Sequence, residues 1–329
     1  MRPSGRINRK CELVTISSIK SRSHTAAHQA LREMIDAASQ VILGKADAIK
    51  LAVTCLVAGG HLLLEDLPGV GKTTLAQTLA RLSGLNFQRL QFTSDMLPAD
   101  ILGASVYHRE TQTFELHRGP IFTQVLLADE INRATPRAQS ALLEAMAERQ
   151  VTLEGITHEL PSPFFVIATQ NPLEQIGTYP LPESQLDRFL MRLSLGYPAP
   201  RAERELLRGQ ERSGMLTRLQ PVLEAETFSQ LQHEVDAVHV SDPLLDYLQA
   251  LLTQSRASAD YHHGLSPRAG LALLRAARAW ALVDGRKHCL PEDLQAVLPS
   301  VIGHRLTARD PLLPGASLAA KLIASVPIP

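Results

Sequence analysis

The stretch Leu62-Leu63-Leu64-Glu65-Asp66-Leu67-Pro68-Gly69-Val70-Gly71-Lys72-Thr73-Thr74-Leu75 constrains this chain more than any other. Its apolar run reads as a buried strand, Pro68, Gly69 and Gly71 as a tight loop, and Lys72 onward as the start of an amphipathic helix. A strand that feeds a helix through such a loop aims backbone N–H groups at one point, with the positive end of the helix dipole behind them. That geometry cradles phosphate. Pro68, Gly69, Val70, Gly71, Lys72, Thr73 and Thr74 are the expected nucleotide contacts, with Lys72 on the β- and γ-phosphates and the Thr73 hydroxyl on Mg²⁺. One departure stands out: where the P-loop pattern has its first glycine, this chain has Asp66. A bare turn before a helix is the plainer alternative, and the strand ends that follow weigh against it.

Val125-Leu126-Leu127-Ala128 is a continuous apolar run, the mark of a strand buried on both faces of a parallel sheet, and it ends in Asp129-Glu130. Open α/β sheets place ligands at the C-terminal ends of their strands. Asp129 is therefore expected beside Thr73 in the Mg²⁺ shell, and Glu130 is expected to orient and polarise an attacking water. The alternative is a solvated pair, or one neutralised by Arg133. Phe164 to Ala168 is a further buried strand, leading into Thr169-Gln170-Asn171-Pro172. Pro172 keeps Asn171 extended, and its amide suits the space between Glu130 and a γ-phosphate. Ser266-Pro267 opens a helix and puts Arg268 in its first turn, where a cation opposes the helix dipole. Such a cost is tolerated where the guanidinium reaches phosphate; an exposed, snorkelling Arg is the alternative. Arg188 precedes the alternating Phe189, Met191, Leu193 and Leu195 of an edge strand. It fits a finger acting on a neighbour's γ-phosphate, or a simple pair with Asp187.

A chain of 329 residues suits about two domains. Residues 1–25 read as a flexible tail, basic at Arg2, Arg6, Arg9 and Lys10 but without a signal-like apolar core. Residues 26–199 read as the α/β core, beginning with two helices broken at Gly44. After the proline-bearing hinge Tyr197-Pro198-Ala199-Pro200, residues 200–329 read as helices, at Arg201 to Gln210, Glu226 to Val238, Pro243 to Ser255, Pro267 to Val283 and Pro291 to Val297. Two segments fit small surface hairpins: Thr93 to Pro120, turning at Glu110 to Gln112, and Val151 to Leu160, turning at Glu154-Gly155. Lys+Arg and Asp+Glu both number 33, so no global basic field awaits nucleic acid or anionic lipid. The longest apolar stretch, Leu51 to Leu64, is interrupted by Thr54, Gly59, Gly60 and His61, and falls short of the ~20 residues a membrane span needs. Cys11, Cys55 and Cys289 are scattered, which suggests neither a disulfide framework nor a zinc site, and a cytoplasmic location is expected.

Taken together, these motifs resemble the AAA+ ATPases, and within them the MoxR family. Leu64 to Thr73 resembles that family's Walker A, including its missing first glycine. Ala128 to Ala134 is similar to Walker B, and Ala168-Thr169-Gln170-Asn171-Pro172 to the sensor-1 segment. Leu186-Asp187-Arg188-Phe189 resembles the arginine-finger box, and Leu265-Ser266-Pro267-Arg268 the sensor-2 motif. The two hairpins fall where the family carries a helix-2 insert and a pre-sensor hairpin. The resemblance implies a P-loop NTPase core with a helical lid, ATP and Mg²⁺ as cofactors, and a ring, usually hexameric, with nucleotide between subunits. It also implies chaperone-like remodelling, often with a partner that bears a von Willebrand factor A domain. A nucleic-acid motor is the rival reading, and a nucleotide-switched scaffold a third. The second hairpin carries Glu154, His158 and Glu159 and no Lys or Arg, so a protein partner is expected and not DNA or RNA.

Overall fold

The computed structural model describes residues 27–172, 177–208, 212–309 and 315–328. The tail and Cys11 lie outside these residues. Two helices, over 27–41 and Ala46–Val57, come first, and Gly44, with φ +69°, makes the break between them. Strand β1 (His61–Glu65) follows, then the helix Lys72–Leu82 and β2 (Phe87–Gln91). A short helix, Pro98–Leu102, precedes the antiparallel pair β3 (Gly103–His108) and β4 (Thr113–Arg118). Next come β5 (Val125–Asp129), the helix Pro136–Glu148, the second antiparallel pair β6 (Gln150–Leu153) and β7 (Ile156–Glu159), β8 (Phe165–Gln170) and β9 (Phe189–Leu193). After β9 the described elements are helices, joined by loops that carry two isolated β-bridges.

β2, β5, β8, β1 and β9 form one parallel sheet in that order, with both hairpins outside it. The apolar runs behave as their continuity predicts, since both faces are covered. Leu62, Leu64, Leu127 and Ile167 enter one core, while Leu63, Leu126, Val166 and Ala168 enter the other. The first core does not stop at the sheet. It continues through the two N-terminal helices into Leu273, Ala277, Leu294 and Val301 of the C-terminal helices.

Local signals set several boundaries. Thr135 caps the helix Pro136–Glu148, its hydroxyl accepting from the Ala138 N–H, and Ser266 does the same for Ala269 at the helix Pro267–Val283. The hairpin turns stand where Glu110 to Gln112 and Glu154-Gly155 place them. Other expectations fell short. The helix from Pro291 runs to Ile302, past the interior Pro299, because Leu294, Val297, Leu298, Val301 and Ile302 are all buried and their packing outweighs the lost N–H. The edge strand β9 buries Leu190 as well as Phe189 and Met191, since the C-terminal helices cover its outer side. The helices Pro98–Leu102, Arg212–Arg218 and Gly315–Ser325 were not singled out from the sequence.

Candidate active site

The register of the sheet brings three strand ends to one edge. β8 lies between β5 and β1, pairing Ala128 with Ala168 and Glu65 with Gln170. Beyond that edge the chain leaves β1 through a loop whose glycines, Gly69 (φ +80°) and Gly71 (φ +96°), adopt left-handed backbone that L side chains rarely take. A Cβ built on either would meet nothing within 4 Å, so the space over the loop is open. Lys72, Thr73 and Thr74 are half-buried at the start of the helix. Lys72 Nζ donates to the carbonyl oxygens of Asp66 and, at 3.3 Å, Gln170. Burial pulls the ammonium below its ordinary pKa, against the opposing pull of the Asp66, Asp129, Glu130 and Glu65 carboxylates. The lysine and the acidic strand end therefore share one electrostatic environment.

Asp129 and Glu130 are densely partnered. The Thr169 hydroxyl donates to Asp129 Oδ1 at 2.6 Å, and Arg89 donates to Oδ2 through Nη2 at 2.7 Å and Nε at 3.2 Å. Glu130 has left-handed backbone, φ +56°, a conformation that a non-glycine residue holds at a cost. Its N–H is fixed on Thr169 Oγ1 at 2.9 Å, and its carboxylate accepts from Gln91 Nε2 at 2.8 Å and pairs with Arg133 Nε at 2.9 Å. The pairing with Arg133 is thus present, but it is one of two contacts that aim the carboxylate. Asn171 lines a cavity of about 500 Å³ with Glu65, Asn132 and Gln170, and its carbonyl accepts from Asn132 Nδ2 at 3.4 Å.

The remaining candidates stand apart from the loop. Arg188 donates from Nη1 to the Leu143 carbonyl, on the helix Pro136–Glu148. Arg268 is 62% exposed and pairs with Asp187 Oδ2 at 3.6 Å; the same carboxylate takes the buried Arg305 at 2.7 Å. Neither arginine makes a hydrogen bond or ion pair to the phosphate loop among the described residues.

Arg89 and Gln91 were not picked out from the sequence, and Thr169 was named only within the sensor-1 segment, without a role of its own. β2 looked like a plain short strand, and only its register against β5, with Gln91 opposite Asp129, turns its polar residues toward the acidic pair. A second omission is a cavity of about 490 Å³, lined by Gly44 to Ala48 ahead of β1, by Glu65 and Arg192 to Ser194, and by Pro299, Ser300 and Gly303. The signal available was the Gly44-Lys45 break itself, which the sequence reading took as a helix end and nothing more. Cys55 and Cys289 are free and buried; burial pushes the Cys289 thiol up to about 12 and that of Cys55 higher, so neither offers a thiolate.

Comparison with known proteins bears on the fold and the family. Residues 61–191 match the ATPase family associated with various cellular activities (AAA), and residues 253–323 match the AAA lid domain. YeaC of Bacillus subtilis is 46% identical over 279 residues, covering 85% of this chain and 87% of its own. Chaperone MoxR1 of Mycobacterium tuberculosis is 40% identical over 286 residues, covering 84% and 75%. A crystal structure from Cytophaga hutchinsonii superposes with a TM-score of 0.87 at 34% identity, covering 95% of this chain and 98% of that one. With a parallel sheet, a glycine loop and acidic strand ends in one place, and relatives of this closeness, the chain belongs to the MoxR family of AAA+ ATPases.

Proposed function

We propose that the chain binds and hydrolyses ATP with Mg²⁺ at this edge, and uses the cycle for chaperone-like remodelling of partner proteins. The observation that carries the reading is Lys72 under an open two-glycine loop, within the field of the Asp129 and Glu130 carboxylates. Pro68 to Thr74 would hold the phosphates, and the cavity at Gly44 to Ala48 and Pro299 to Gly303 would take the base. Asp129 and Thr73 are hard oxygen donors of the kind Mg²⁺ prefers, and the ion would neutralise charge on the phosphates. Glu130 would polarise water as a general base, with Asn171 helping to place it. Arg268 would move from Asp187 to phosphate, and Arg188 would serve a neighbouring subunit in a ring, usually hexameric. Residues 26–199 would act as the nucleotide-binding core and 200–329 as the lid, in the cytoplasm.

Two considerations favour a protein client. The relative named Chaperone MoxR1 is 40% identical. The hairpins present Val106, Tyr107, Phe114 and Ile156 to solvent, an apolar surface suited to extended polypeptide. The exposed Tyr107–Phe114 ring pair, 5.1 Å between centroids, is more aromatic than the sequence suggested, but the nearby Arg118 guanidinium lies over Phe122, 5.3 Å from its centroid. A partner with a von Willebrand factor A domain follows from the family resemblance. Phosphate release with and without such a partner tests the reading: Mg²⁺-dependent turnover that disappears in Lys72→Ala is expected, and wild-type protein that neither binds nor turns over ATP overturns it. DNA or RNA that stimulates hydrolysis in a salt-sensitive way would favour the motor instead.

A further inference from the structure

The residue that breaks the phosphate-loop pattern is tied in three directions. Asp66 is buried. Its Oδ1 accepts from the Leu67 N–H at 2.8 Å, and its Oδ2 from the Ser194 hydroxyl at 3.0 Å and from the N–H groups of Leu195 and Gly196, both at 2.6 Å. Those last donors lie on the segment that carries the chain from β9 to the helix Pro200–Leu207. The main chain of the same residue is equally committed. The Asp66 N–H donates to the Gln170 carbonyl at 3.2 Å, and its own carbonyl accepts from the Lys72 ammonium.

The surroundings extend this link. Lys45, which lines the 490 Å³ cavity, donates to the Tyr197 carbonyl at 2.7 Å. The connecting segment is thus held by a carboxylate on its N–H groups and by an ammonium on its C=O. Glu65 accepts from Arg192 at 2.7 Å, and Arg192 also donates to the Gly303 carbonyl at the end of the helix Pro291–Ile302. Burial alone would push the Asp66 carboxyl up, but the hydrogen bonds from Gly196, Leu67, Ser194 and Leu195 outweigh it and hold the group below its ordinary value. A glycine here, as the usual pattern has, could make none of the side-chain bonds.

We propose that Asp66 is a positioning residue that couples the phosphate loop to the helical lid: its carbonyl sets Lys72, and its carboxylate clamps Ser194-Leu195-Gly196, so movement of the loop on a triphosphate is passed to the lid. The inference rests on the ATPase reading. It explains why the first loop position is acidic while the loop remains able to bind phosphate.

Asp66→Asn is the sharp probe. The amide keeps the volume but has one acceptor oxygen, so its NH₂ must face either the Leu67 N–H or those of Leu195 and Gly196. Full-length wild type, Asp66→Asn, Ser194→Ala and Lys72→Ala would be compared by ATP-analogue titration, steady-state hydrolysis, and hydrogen–deuterium exchange over 194–197 with and without Mg·ATP. Wild type should bind and show nucleotide-dependent exchange in that segment. Asp66→Asn should lose that dependence and at least roughly tenfold in kcat, with KM little changed. Ser194→Ala should shift both in the same direction by less, and it decides the matter if Asp66→Asn fails to fold. Wild-type kcat together with retained nucleotide-dependent exchange in a folded Asp66→Asn overturns the coupling but leaves the ATPase reading intact. Wild type that binds no ATP, like Lys72→Ala, overturns both.

Discussion

The two halves of the candidate site are built in opposite ways. The phosphate loop is open: glycine Cβ positions face nothing, and among the described residues the Lys72 ammonium bonds to two main-chain carbonyls. The acidic strand end is crowded, with Arg89, Thr169, Gln91 and Arg133 on two carboxylates. A cradle for a polyanion works through fixed backbone dipoles and needs space above them. Carboxylates that would hold a metal and aim a water, as proposed for Asp129 and Glu130, need their lone pairs and rotamers fixed by neighbours. The first half should therefore govern affinity with little effect on stability, and the second should govern rate and contribute to stability.

Lys72→Ala should have the largest effect, abolishing or nearly abolishing ATP binding in a titration while the unfolding midpoint barely moves. A variant that still bound ATP well would remove the distinction. Arg188→Ala comes next, with normal binding and hydrolysis reduced roughly 10³-fold, if it serves a neighbour's site. Mixing Arg188→Ala with Glu130→Gln subunits should then restore part of the activity, and no recovery among freely exchanging subunits would place Arg188 in a purely local role. Glu130→Gln alone should keep ATP bound and slow turnover by about 10²-fold or more, because an amide cannot polarise water as a carboxylate does.

Thr169→Val probes the crowded half directly. It is close in shape but strands both the Asp129 oxygen and the Glu130 N–H, so it should cost about 1–3 kcal/mol of stability, measured by denaturant unfolding, and slow hydrolysis too. Smallest is a pH effect away from both halves. His61 Nε2 lies 3.1 Å from the Met146 carbonyl, and Nδ1 accepts from the Val166 N–H at 3.0 Å, so only the neutral Nε2–H tautomer serves both. Burial first of all, with Arg149 adding to it, lowers its pKa from 6.5 to about 4 despite the Met146 bond. The unfolded chain binds this proton more readily, so stability present above pH 6.5 should decline as pH falls toward about 4. His61→Gln should flatten that part of the profile.

The open half was legible in the sequence because backbone geometry dictates residue type: left-handed φ asks for Gly69 and Gly71, and continuous apolar runs announce doubly buried strands. Asp129 and Glu130 were legible from their place at the end of such a strand. Their supports were not, because Arg89 and Gln91 look like ordinary polar residues until strand register sets them beside Asp129. The same holds for the second cavity, whose walls come from residues as distant in sequence as Gly44 and Gly303. Pro299 shows the opposite failure, a local breaker signal overruled by burial all along its helix.

The first core, shared between one face of the sheet and the C-terminal helices, limits how this molecule can move. Wide opening at the segment after β9 would expose Leu273, Ala277 and their partners to water, at ~25 cal/mol for each Å² of apolar surface. Small sliding displacements cost far less, because packed side chains can shift without parting. Shear is then the motion open to the lid. A chain truncated near Pro200 would leave half of that core unpaired and prone to self-association, rather than a smaller working enzyme.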